Sequence, residues 1–82
     1  MTISDKTQQA RVSFGRKLKE LRGWRGWSLE ELAENAGIQA DALAQIERGE
    51  TTTRLEDMRR LAGAFGVSMT ALVGLEREAG DG

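Results

Sequence analysis

Cysteine, histidine and proline are all absent from this chain of 82 residues, and its only aromatic side chains are two Trp and two Phe. Without cysteine or histidine there is no disulfide, no common zinc site and no imidazole for acid–base chemistry. No Gly-rich phosphate loop appears, and Ser28 and Ser68 have only carboxylates or lysine to serve as a base. The chain is therefore not expected to be an enzyme or to carry a cofactor or metal. No alternating run of β-branched residues marks a strand, so the expected class is all-α. Long apolar runs are missing too, and the opening stretch MTISDKTQQARVS is polar. That excludes a signal peptide or membrane span there, and the expectation is a cytoplasmic protein with no membrane partner. At this length the expectation is one domain with a marginal core, which a second copy would enlarge, and no separate catalytic domain.

The net charge of −1 hides a polarised distribution. Residues 1–27 hold seven Lys/Arg against two Asp/Glu, whereas residues 28–82 hold five against eleven. For nucleic-acid binding the distribution matters more than the sum, although solvated helix faces carry the same charges.

Three segments are expected: 1–11, an N-terminal arm or helix extension; 12–75, a helical domain; and 76–82, a frayed tail. A helix is clear from Ser13, with Phe14, Leu18 and Leu21 on one face, Arg16, Lys17, Lys19 and Arg22 elsewhere, and Gly23 and Gly26 as its end. Trp27 is placed to cover the core; Trp24 has no clear place and is a candidate for exposure. Ser28 and Glu31 have capping-box spacing, Leu29, Leu32, Ala33 and Ala36 follow at helical spacing, and Gly37 supplies the stop. A second stripe, Ala42, Leu43 and Ile46, runs to Gly49. Helix, glycine turn and helix make a helix-turn-helix. Beyond a polar loop, Thr53 and Glu56 have the spacing of a second capping box. It would open a helix with Leu55, Met58, Leu61, Ala62 and Phe65 on its apolar side, closed by Gly66. Ser68 can cap a last short helix bearing Met69, Leu72 and Val73.

From Phe14 to Val73 the ordered set FGRKLKELR, GWSLEELAENAGI, LAQIERG and LEDMRRLAGAFGVSMTALV resembles the lambda-repressor-like, Cro-like and xenobiotic-response-element-type regulators. The resemblance implies a compact five-helix domain, with its second helix across the DNA backbone and its third, about residues 40–48, in the major groove. That groove admits one α-helix and shows a distinct donor–acceptor pattern for each base pair. By the same resemblance Gln39, Ala40, Asp41, Ala44 and Gln45 face bases, and Arg22 and Glu47 form a structural ion pair. Gln45 suits adenine N6 and N7, Asp41 suits cytosine N4, and the alanines offer apolar contact. Phosphate candidates are Ser28, Arg48, Thr51, Thr52 and Arg54, with backbone N–H groups at helix starts.

These features imply a sequence-specific transcriptional regulator, of repressor or restriction–modification controller type, binding double-stranded DNA at a palindromic operator as a homodimer. Dimer contacts are expected from Met69, Leu72, Val73 and Leu75, residues that serve equally well to complete the monomer core. The alternative is a protein-interaction module such as an antitoxin or scaffold, with weak or no DNA binding. It draws on Leu29, Asp41 and Glu50, an apolar residue and two acids at positions where the family pattern favours contact with DNA.

Overall fold

Among the described residues there are four helices, α1 (Ile3–Trp24), α2 (Leu29–Ala36), α3 (Ala40–Glu47) and α4 (Leu55–Phe65), and a last helical segment begins at Met69. The computed structural model describes residues 3–72 and 74, with side chains from Gln8 onward except at position 73. No strand occurs among the described residues.

Each helix is closed by the same device. At the exit of α1 the Trp27 N–H reaches Arg22 O at 3.2 Å and the Gly26 N–H reaches Gly23 O at 3.0 Å, the paired bonds of a Schellman motif. The equivalent pairs recur at Gly37, Gly49 and Gly66, and all four glycines have φ of 72° or 73°. Gly23 does not end α1 as its sequence position suggests. It stays helical and the chain turns at Gly26, because a glycine inside a helix costs only about 1 kcal/mol and is no obligatory stop.

The starts are less uniform. At α2 the capping box forms as expected: Ser28 Oγ accepts from the Glu31 N–H at 3.0 Å, and Glu31 Oε1 accepts from the Ser28 N–H at 2.7 Å. The second box does not form. Arg54 is the N-cap of α4 and no side chain caps that end, so Thr53 sits one residue too early and Glu56 turns instead to Arg60, 2.9 Å away. Leu55, expected on the apolar side, is 67% exposed because it occupies the first position of the helix, outside the core-facing stripe. Ser68 caps the last segment, accepting from the Ala71 N–H at 3.0 Å.

One core joins every element. Phe14 and Leu18 come from α1, Leu32, Ala33 and Ala36 from α2, Leu43 and Ile46 from α3, and Met58, Leu61, Ala62 and Phe65 from α4, with Leu72 from the last segment. No polar or charged residue belongs to this core among the described residues. Truncating a core leucine such as Leu43 to alanine removes packing on several sides at once, a loss of about 2–5 kcal/mol.

α3 is braced by α1 and α2, and α2 also packs on α4. Where the end of α3 meets α1, two glycines bring the backbones close together. A Cβ on Gly15 would collide with the carbonyl oxygens of Ile46 and Glu47, and one on Gly49 would lie 2.6 Å from the Val12 Cα. Backbone therefore meets backbone at two points, which fixes the depth at which the end of α3 sits against α1.

Candidate nucleic-acid interface

Arg22 ties three parts of the chain together. Its Nε and Nη2 donate to Glu47 Oε2 and Oε1 at 2.8 and 3.0 Å, and its Nη1 donates to Trp27 O at 3.0 Å. The two side chains are 15% and 6% exposed, so the pair is largely shielded from water. The Glu47 hydrogen bond holds the Arg22 guanidinium pKa above its ordinary value, outweighing the opposite effect of burial. A fork this well satisfied orients α3 relative to α1 and to the entry of α2. Arg25 makes a second tie, with its guanidinium 5.5 Å from the Trp27 ring and 5.6 Å from the Phe65 ring while it donates to Phe65 O. Those rings stack with centroids 5.6 Å apart, which joins the turn before α2 to the end of α4.

With its inner side locked, α3 turns a polar side outward. Leu43 and Ile46 are buried, whereas Gln39, Asp41 and Gln45 are exposed. Asp41 and Gln45, four residues apart, lie one above the other along the helix, so they present a contiguous acid and amide. Ala44 is half-buried, and Ala40 is half-buried and packed against the core, so both small residues sit lower than their polar neighbours.

The loop after α3 supplies the flanking polar groups. Thr52 and Arg54 are exposed, and Thr51 is half-buried. Arg48 forms a bidentate pair with Glu50, Nε to Oε2 at 2.9 Å and Nη2 to Oε1 at 3.3 Å. That hydrogen bonding raises the Arg48 pKa and lowers that of Glu50. Arg54, 87% exposed, approaches Asp57 only to 4.0 Å. At the N-terminus of α4 the N-cap Arg54 makes no side-chain hydrogen bond to the backbone, and Glu56 and Asp57 lie in the first turn. Ser28 is exposed but its hydroxyl already serves as the α2 cap.

A family model described as a helix-turn-helix domain matches residues 13–73. The chain belongs to the helix-turn-helix family. Among solved structures it is similar to the restriction–modification controller protein C.AhdI from Aeromonas hydrophila, with a TM-score of 0.71 and 34% identity, covering 74% of this chain and 92% of that one. It is 38% identical over 56 residues to the HTH-type transcriptional regulator SutR of Escherichia coli, covering 68% of this chain and 32% of SutR. It is 34% identical over 65 residues to the immunity repressor protein of Bacillus phage phi105, covering 79% of this chain and 45% of the repressor. The chain thus spans less than half the length of these two relatives.

Within this helix-turn-helix domain the motif is α2, the Gly37 turn and α3, and the residues expected to pair, Arg22 and Glu47, do so. Leu72 is 1% exposed inside the protomer's own core and Met69 packs against it, so Leu72 offers no free surface to a second copy. Val73 and Leu75, also expected at a dimer contact, lie outside the described residues. Gly15 and Arg25 escape the sequence reading. A glycine in the middle of an otherwise regular amphipathic helix is the signal for Gly15, because such a residue usually marks a close approach. No local signal exists for Arg25, whose carbonyl partner is 40 residues away.

Proposed function

We propose that the chain is a sequence-specific DNA-binding domain of a transcriptional regulator, reading the major groove with α3 and pairing two copies on a palindromic operator. The carrying observation is that Gln39, Asp41 and Gln45 are exposed on a helix whose opposite side is clamped by Arg22–Glu47 and by the bare backbone at Gly15. Base readout needs such rigidity, because a bidentate contact tolerates little displacement. In this reading Gln45 and Asp41 discriminate bases, Gln39 aids at the helix start, and Ala40 and Ala44 let the helix approach a thymine methyl. Ser28, Arg48, Thr51, Thr52 and Arg54 position the phosphates. The names of the relatives, a transcriptional regulator, an immunity repressor and a restriction–modification controller, favour a repressor or controller role.

Two copies are required by the small reach of one helix, with half-sites about 34 Å apart. The contacts we assign to the pair are Met69, Val73 and Leu75, with Leu72 anchoring the last segment to its own protomer. Selection of bound duplexes from a random pool tests the reading: the expected product is a two-fold-symmetric site, and an enriched pool without symmetry or consensus would rule it out.

A second reading, a protein-interaction module, draws on one observation: Arg48 and Arg54 each have an acid nearby, and the exposed residues of α2 include Glu30, Glu31 and Glu34. Retention on random duplex DNA at low salt separates the two. Binding that falls steeply with added salt fits the regulator, and no retention fits the module.

A further inference from the structure

Arg48 follows directly on α3, and its planar fork is filled by the two oxygens of Glu50. The backbone under this pair is pinned. Arg48 N–H bonds Ala44 O at 3.0 Å, Glu50 N–H bonds Gln45 O at 2.9 Å, and Gly49 between them is pressed against Val12. The carboxylate is therefore held beside the guanidinium by the turn itself. Yet the side chains are 59% and 53% exposed, so water screens the pair and it adds little to folding. Its effect falls instead on whatever else the guanidinium would bind. The ligand whose geometry best matches an arginine fork, besides a carboxylate, is a phosphate oxygen pair. Arg54, whose acid stands 4.0 Å off, is not filled in this way.

We propose that Glu50 is an intramolecular competitor for the DNA backbone: it occupies Arg48, so that a phosphate gains this cation only by displacing a tethered carboxylate. The inference rests on the reading of α3 as a DNA-binding helix. Glu50 thereby lowers affinity for every duplex alike, while leaving the choice among bases to Gln39, Asp41 and Gln45. The low non-specific affinity favours discrimination, because the competing non-specific sites are the ones that depend most on phosphate contacts.

The test compares wild type, Glu50→Gln, Arg48→Gln and the double variant, each titrated with a duplex of random sequence and a duplex from the selection over a range of KCl concentrations. Glu50→Gln is expected to bind both duplexes more tightly, by about five- to tenfold near 0.1 M salt, with a log–log salt slope steeper by about 0.9, the signature of one additional neutralised phosphate. The gain should vanish in the Arg48→Gln background, and thermal melting of Glu50→Gln should match wild type. Wild-type binding with no gain in Glu50→Gln overturns the proposal. So does a gain that survives in the Arg48→Gln background, which would mean general charge repulsion and no competition for Arg48. If neither wild type nor Glu50→Gln binds any duplex, the DNA-binding reading itself fails, and the proposal falls with it.

Discussion

Two arginine–glutamate pairs meet at consecutive residues, Glu47 in one and Arg48 in the other, with nearly the same geometry and opposite surroundings. Arg22–Glu47 closes at 2.8 Å with side chains 15% and 6% exposed; Arg48–Glu50 closes at 2.9 Å with side chains 59% and 53% exposed. A bond length alone does not say what a pair does. The shielded pair has no water to fall back on, so losing one partner strands the other, whereas either member of the exposed pair is rehydrated at once. The first pair can hold a helix in place. The second can be exchanged for another ligand.

The comparison breaks most easily at the shielded pair. Glu47→Ala is expected to cost about 3 kcal/mol or more by leaving Arg22 partly buried without its acid. Melting temperature should fall by at least about 12 °C for a domain of this size. A shift below about 3 °C would show that the pair is no more structural than its neighbour. Gly15→Ala comes next. Overpacking against the Ile46 and Glu47 carbonyls should outweigh the helix-propensity gain of about 1 kcal/mol and leave a net loss of about 2 kcal/mol, read by chemical denaturation. Unchanged or raised stability would mean that α3 moves freely away from α1.

On the outer side the effects turn from stability to recognition. Gln45→Ala should leave melting unchanged and flatten preference at one base pair by about 1–3 kcal/mol in a repeated binding-site selection. An unaltered consensus would remove Gln45 from the readout. The smallest effect is a titration. The Arg48 hydrogen bond holds the Glu50 carboxyl below its ordinary value, so its modest stabilisation is present above that ordinary value and is lost as pH falls through the depressed one. Carboxyl NMR should find the Glu50 midpoint low in wild type and raised in Arg48→Gln; the same midpoint in both would dissolve the pair.

How much of this was legible in sequence depended on how local the cause was. Ser28, Glu31 and Gly37 announce α2 because capping and the left-handed turn are decided within a few residues. The same spacing misled at Thr53 and Glu56, since the rule cannot tell whether the chain enters the helix there or one residue later, at Arg54. Gly23 failed for a related reason: glycine permits a stop without compelling one, and the Schellman bonds form around Gly26. The core stripe was readable, from Phe14 through Phe65, because periodicity carries it. The outward residues of α3 were named from family resemblance and lie on its exposed or half-exposed side. The Arg25 stack on Trp27 and Phe65 was not readable at all, because three-dimensional proximity alone creates it.

The bare crossing at Gly15 has a consequence for change over time. Where two helices are spaced by interlocking side chains, altering one residue retunes the spacing; here Gly15 and Gly49 let main-chain atoms meet, on the inner side of α3 and away from its exposed residues. Residues 39, 41 and 45 can therefore be rewritten without re-docking α3. On the proposed reading of α3, the scaffold would act as a fixed socket for interchangeable residues, and grafting a different triplet there should change the preferred duplex in a binding-site selection while the melting curve stays where it was.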